Sequence, residues 1–539
     1  MSKTNKKTRF YKTKEFKLFI TVWIVYIFYM QMFGSSSMAN TQSALTAAIV
    51  NEARFEIDTY YKAGGNGNAY YNGHYYSGQA PGISFISVPV YFISRQFFYL
   101  VPDSAIDFMF EKLEKYGEKL PADWEGEKRI LSNFFPALGR RQIMEYVIIS
   151  GLILPIFTTS LIAAISVVLL YTLLAYLTKD NKLRMAIALL YAFGTIIFPL
   201  STEFFERPIA ISMLFFAFAI LFKIKHKKIT PKRSSFLAAG ILAGLSAWFD
   251  YFHIALAGIL FLYLLSMFRL SKGNNFKAFL KFYFRKEKLV LILYFAIGLL
   301  IPLIVLGLYQ YMIFGNPFTT SYTHRIIPEF SLQLSGLHNL SLPNAKVMFN
   351  MAVFFLYSPI ILIALYGLLR ALLKKDKYFD ESLLSLAIVI ATLAFSALVV
   401  LSYFKFPATI IESSFKRYMK PMLPYAMLFI PYAFKNRKID KKSIMWALFI
   451  VFGAISFFMN WISAQFGGHA ALGQFDLKAM KFVYINRFLE IGPSSSFLST
   501  FSGTFGLNSF VINIFGLLAL LLAIYLVWKP SKAKSISQV

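Results

Sequence analysis

Asp58 stands ahead of an unusual run, "YYNGHYYSGQAPGISF" (70–85), with five aromatic residues, three glycines and no lysine, arginine, aspartate or glutamate. Aromatic rings stack on sugars, and tyrosine also favours the membrane–water boundary. His74, Tyr75, Tyr76 and Gln79 are therefore candidate walls for a glycan or a lipid headgroup. Gly73, Gly78 and the "APG" at 80–82 read as sharp turns. Carboxylates lie just upstream at Glu52, Glu56 and Asp58. In an extended segment Glu56 and Asp58 share one side, where like charges raise one pKa toward neutral. A second group is Glu203, Glu206 and Arg207. Charges so close to an apolar run are costly unless paired or functional. The group reads as a Glu–Arg pair, as a substrate contact in which Glu203 or Glu206 assists a catalytic base, or as two carboxylates three apart offering oxygen ligands to a hard cation. A third pair, Asp250 and His253, sits in the tight turn "WFDYFH" (248–253) and reads either as turn chemistry or as a substrate contact.

The elements that hold these residues are apolar. The chain has 539 residues, 57% hydrophobic and only 15% charged, with mean hydropathy +0.58. A soluble chain carries about a quarter charged residues. Apolar runs near membrane thickness recur along it, so the expected fold is an all-α polytopic membrane protein. There is no cysteine, which excludes disulfides, thiolate metal sites and thiol nucleophiles. The net charge of +29 is read as cytoplasmic enrichment of Lys and Arg, not as nucleic-acid binding.

Seven basic clusters punctuate the runs: 2–17, 179–184, 223–233, 269–288, 370–377, 435–442 and 529–534. They hold 35 of the 55 basic residues. Each interval between clusters has apolar sequence for two crossings. The expectation is about twelve transmembrane helices, near 18–34, 146–177, 184–200, 207–223, 235–249, 252–268, 289–312, 347–371, 382–403, 418–434, 443–462 and 510–528. Both termini are then cytoplasmic. The first helix is read as an uncleaved anchor. Residues 1–434 are read as one transmembrane module including the outer loop 35–145. Residues 435–539 add C-terminal helices around an outer loop at 463–509. The loop 35–145 holds twelve acidic residues against ten basic. Within it, 81–102 reads as an interfacial helix and 103–129 as an amphipathic helix and a turn.

Four pieces in this order resemble one family. They are "ARFEIDTYY…AYYNGHYYSGQAPGISFISVPVY" (53–91), "FPLSTEFFERPIAISMLFFAFAILF" (198–222), "YQYMIFGNPFTTSY" (309–322) and "SSFKRYMKPMLPY" (413–425). Together they resemble the GT-C glycosyltransferases, especially relatives of the protein O-mannosyltransferases and the lipid A aminoarabinose transferase. The resemblance implies a GT-C-like fold in the cell membrane with its active site on the extracytoplasmic side. It implies transfer, with inversion, of a hexose or pentose from a polyprenyl-phosphate carrier to a glycan, lipid or protein acceptor.

Such a reaction needs an acid near the membrane surface as general base, and cations for the leaving phosphate. On the resemblance, Asp58 is the first candidate base, with Glu52 and Glu56 behind it. Arg417 is the first phosphate-binding candidate, because guanidinium grips phosphate in a two-pronged way. Lys416 and Arg325 follow, with Lys420 and His324 in reserve and weaker claims for Arg140 and Arg141. No motif demands a cofactor; a divalent cation is the one candidate. The chain departs from the pattern where "SSSMANTQS" (35–43) has no acid, and where Asn68 and Gln79 are neutral. That leaves two other classes open: a transporter or flippase for lipid-linked glycan, and a catalytically silent binder of it.

Overall fold

The computed structural model of the chain describes residues 13–31, 37–119, 131–268, 286–326, 354–402, 418–435, 439–465 and 496–529, with short pieces between 475 and 489. It is almost entirely helical. In order come α1 (Lys14–Phe28), α2 (Ser37–Glu52), the strands β1 (Asn68–Tyr71) and β2 (His74–Ser77), α3 (Gly82–Phe98) and α4 (Asp103–Lys119). Then follow α5 (Arg140–Leu177), α6 (Asn181–Phe193), α7 (Glu206–Lys225), α8 (Arg233–Phe249), α9 (His253–Met267) and α10 (Lys286–Phe314). The last are α11 (Ile360–Lys374), α12 (Phe379–Ser402), α13 (Leu423–Met427), α14 (Ile430–Phe434), α15 (Ile439–Gln465), α16 (Ser496–Thr504) and α17 (Ser509–Trp528).

The expected helices fall on this series to within a few residues at most ends. Among the described residues, six helices are long and apolar enough to cross a membrane alone, or up to seven if α3 and α4, bent by 114°, count as one span. The others are shorter or broken. The stretch expected at 418–434 is not one rod but a short 3-10 turn, α13 and α14. Pro421, Pro424 and Pro431 each remove a backbone donor, which explains the breaks. In α5 two wide turns, Ile149–Ile153 and Ile156–Ser160, flank Pro155 for the same reason.

Glycine sets the closest helix contact. A Cβ on Gly240 of α8 would lie 2.1 Å from the Phe295 carbonyl oxygen of α10, and one on Gly298 of α10 would lie 2.3 Å from the Leu237 carbonyl oxygen. Small residues let two apolar backbones meet where lipid offers no hydrophobic drive.

Among the described residues, the clusters at 223–233 and 370–377 and Lys435 lie at one end. Lys225 and His226 close α7 on Asp380 and Glu381 at the start of α12, at 2.8 to 3.1 Å. The Tyr378 hydroxyl donates to the Tyr176 carbonyl at 2.6 Å. Arg370 reaches the Ala433 carbonyl at 3.4 Å. At the opposite end, the Gln31 backbone N–H donates to the Thr202 carbonyl at 2.8 Å and its side chain to the Ala464 carbonyl at 2.6 Å. The C-terminal helices join the same body: Trp528 donates to Thr21 at 2.9 Å and Trp461 to Tyr29 at 2.8 Å.

Residues 37–52, read from sequence as loop, form α2. Its first twelve residues are almost wholly buried, and Ala, Ser and Thr make it narrow enough to lie between neighbours. Helix α3 forms where an interfacial helix is expected. It buries Ile83, Ser84, Ser87 and Tyr91 and exposes Phe92, Ile93 and Phe97.

Candidate active site

The tyrosine run folds as a hairpin. β1 and β2 pair antiparallel, with Asn68 opposite Ser77 and Tyr71 opposite His74. Asn72 and Gly73 both have positive φ, 49° and 87°, the backbone a two-residue hairpin turn requires. Of the three glycines only Gly73 has this left-handed geometry. Gly78 is small because a Cβ there would lie 2.2 Å from the Gly67 carbonyl oxygen, and Gly82 because one would lie 2.5 Å from the Trp248 carbonyl oxygen.

Residues 55–58 run beside β2 without joining it as a ladder strand. The Ile57 N–H donates to the Tyr75 carbonyl at 2.8 Å. Ile57 is buried, while Glu56 and Asp58 on either side both reach β2. Asp58 accepts from the Tyr75 N–H through Oδ1 at 2.7 Å and meets His74 Nδ1 through Oδ2 at 2.7 Å. This pair is solvent-exposed, and Asp58 raises the His74 pKa above its usual value, first by the hydrogen bond and then by its charge. Tyr76 donates to Glu56 at 3.4 Å; its pKa is pushed up to about 12 by burial and then by Glu56. Tyr61 and Tyr75 stack at 4.4 Å with 12° between planes, and Tyr70 leans on Tyr75 at 5.0 Å. Glu52 is half-buried at the end of α2.

The hairpin rests on the segment after α10. The Ile326 N–H donates to the Asn68 carbonyl at 3.2 Å. Arg325 Nε donates to the Gly78 carbonyl at 3.1 Å, and its guanidinium lies 4.2 Å over the Tyr322 ring. Ser321 donates to the Gln79 carbonyl at 3.2 Å. His324 stacks on Phe314 at 4.7 Å and meets Tyr71 edge-on; burial lowers its pKa.

Below this layer lies a fully buried ionic cluster. Arg207 is 3.5 Å from Glu206 and 3.6 Å from Asp250, and His253 Nδ1 is 4.0 Å from Asp250. Glu203 and Lys420 are buried as well. The Arg207 guanidinium lies 5.3 Å over the Tyr418 ring and 5.5 Å over Phe205, and Lys420 lies over Phe205 at 5.6 Å. Tyr322 links the layers. It packs edge-on against Tyr251 at 5.1 Å and lies within the field of Asp250, Arg325 and Arg207, while burial pushes its pKa well above the usual value.

The structure therefore gathers Glu56, Asp58, His74, Tyr75 and Tyr76 in one group, Gln79 and Arg325 in a second, and Glu206, Arg207, Asp250 and His253 in a third. Arg417 and Lys416 lie outside the described residues. Arg140 and Arg141 instead fasten α5 to α4: Arg141 holds Asp103 at 2.6 Å and Arg140 holds Asp107 at 3.4 Å. Among the described residues, no group of three or more His, Asp or Glu side chains is placed to hold a metal ion.

The sequence reading passes over Thr41 and Gln42, which α2 buries beside the "APG" bends; Gln42 donates to the Ala80 carbonyl at 3.2 Å. Thr41 Oγ1, Gln42 Oε1, Gln79 Nε2 and both ring nitrogens of His253 are buried without a hydrogen-bond partner. Such groups need water or a ligand. No sequence signal marks Thr41 and Gln42, because neither residue type is unusual in a helix.

No protein-family profile matches the chain, and no curated protein does. Solved structures similar to it include two of an archaeal oligosaccharyltransferase. The apo crystal structure of the Archaeoglobus fulgidus oligosaccharyltransferase aligns over 83% of this chain with 12% identity and a TM-score of 0.43. The archaeal oligosaccharyltransferase AglB from Archaeoglobus fulgidus, in complex with an inhibitory peptide and a dolichol-phosphate, aligns over 84% with 11% identity and a TM-score of 0.41. The chain spans 56% of the length of each.

Proposed function

We propose that the chain is a membrane glycosyltransferase of the GT-C kind. It moves a sugar from a polyprenyl-phosphate carrier to an acceptor at the outer face, inverting the sugar carbon. The observation that carries this reading is convergence. Loops far apart in sequence bring an exposed Asp58–His74 pair, a wall of tyrosines, Arg325 and the Arg207–Asp250 cluster to the end opposite the basic clusters. Charged groups buried in an apolar body are costly, which makes them candidates for function.

In this reading the acceptor stacks on Tyr70 and Tyr75. Its hydroxyl gives a proton to Nε2 of the neutral His74 ring, in place of the Asp58 base that the resemblance implies, while Asp58 orients the ring and stabilises the imidazolium. The acceptor oxygen then bonds to the sugar carbon, and the bond to the carrier phosphate breaks. Arg325 supplies positive charge for the departing phosphate.

The test is transfer from radiolabelled polyprenyl-phosphate sugars in membranes holding wild type, Asp58→Asn, His74→Asn or Asp250→Asn. Loss of general-base help costs about 10²–10⁴-fold, so Asp58→Asn and His74→Asn should each fall by at least about a hundredfold while still binding carrier. A fully active Asp58→Asn moves the base elsewhere, with Glu52, Glu56, Glu203 and Glu206 next. Wild type that transfers from no carrier overturns the enzyme reading and advances the carrier-binding and transport classes.

A further inference from the structure

The basic end holds a cavity that the proposed reaction does not use. It lies where α11 and α14 finish, has a volume of about 300 Å³, and is lined by Arg370, Leu373, Lys374, Tyr432 and Lys435. Three cations thus face one small space. Two are held in place by the protein: Arg370 donates to the Ala433 carbonyl at 3.4 Å, and the Lys435 ammonium lies 3.8 Å over the Tyr432 ring. The nearby acid, Asp376, accepts from the Tyr432 hydroxyl at 2.6 Å. Lys377 lies close by over Tyr378. The surroundings therefore remain positive. Burial lowers the Lys435 pKa; the charge of Asp376 offsets this in part, and those of Lys374 and Lys377 lower it again.

The cavity also opens onto an apolar stripe. Leu362, Tyr366, Leu369 and Leu373 are all exposed, and their spacing of four, three and four puts them on one face of α11. The stripe ends at Leu373, which is itself a wall of the cavity. A soluble anion has no use for such a face, whereas an acyl chain does.

We propose that this cavity binds the phosphate headgroup of an anionic membrane lipid, with the lipid chains along the exposed face of α11. Basic pockets between transmembrane helices suit such headgroups. The proposal does not depend on the transferase reading.

The test uses the full-length chain in vesicles of neutral phosphatidylcholine with rising fractions of phosphatidylglycerol. Bound lipid is counted by native mass spectrometry, and the thermal midpoint is followed. At about 1 kcal/mol per basic residue, each of Arg370→Gln, Lys374→Gln and Lys435→Gln should weaken retention about fivefold. The control Lys228→Gln/Lys232→Gln, at exposed positions of the same end, should leave it unchanged. Lys374 is exposed, so Lys374→Glu keeps the proposal testable if the changes at the half-buried Arg370 and Lys435 impair folding. The proposal is overturned if pocket and control variants lose lipid equally, or if Lys374→Glu retains it as wild type does. It is also overturned if inorganic phosphate without anionic lipid gives the same stabilisation, which would assign the cavity to a soluble phosphate.

Discussion

At the residue scale, Asp58 favours the protonated form of His74, so the base step belongs to the neutral ring and gains as pH rises through the raised pKa. The folded-state pKa of His74 lies above the usual 6.5, so the ion pair is whole below that value and is lost as pH rises through the raised one. Asp58→Asn should return the His74 titration midpoint to near or below 6.5, read by NMR on ¹³C-histidine-labelled protein; an unmoved midpoint would separate the two residues. Arg207 presents the opposite case, a cation fully buried between Glu206 and Asp250. Removing one partner of a buried pair costs about 3–5 kcal/mol. Arg207→Leu should therefore collapse folded yield and thermal midpoint in detergent, with partial recovery when Asp250→Asn is added. The individual residues were legible in sequence, because charges beside apolar runs stand out. Their partnerships were not: Asp250 meets Arg207 from 43 positions away, and nothing in spacing encodes that.

At the element scale, close packing makes glycine positions unequal. Gly240→Leu would drive its Cβ into the Phe295 carbonyl oxygen, separate α8 from α10 and prevent stable folding. Gly258 of α9 has open space at its Cβ and helical backbone, so Gly258→Ala should be neutral or stabilising by up to about 1 kcal/mol. Thermal unfolding in one detergent compares the two, and equal effects would refute the packing argument. Helix ends were readable because Lys and Arg flank the apolar runs. Helix α2 escaped because its residues carry no hydrophobic period; it is buried by smallness and not by apolarity. The hairpin was half visible, since Asn72–Gly73 is a standard turn signal, but its landing on Arg325 is a long-range contact.

At the scale of the whole molecule, charge alternation is the strongest sequence signal, and the structure places the described clusters at one end accordingly. Because the chain has no cysteine, single introduced thiols report sidedness without background. Tyr70→Cys and Lys228→Cys lie at opposite ends. A membrane-impermeant maleimide should label the first in intact cells and the second only after permeabilisation. Equal labelling of both in intact cells would refute the arrangement.

Helix α10 has 29 residues and so extends about 43 Å, against a hydrocarbon layer of about 30 Å. The surplus must become tilt or protrusion. Its far end holds Phe314, which packs against Tyr71, Tyr76 and His324. The height of the hairpin above the lipid is therefore coupled to bilayer thickness. Longer acyl chains would draw the tyrosine wall toward the headgroups and shorter ones would lift it away, so membrane thickness itself becomes a variable of the site.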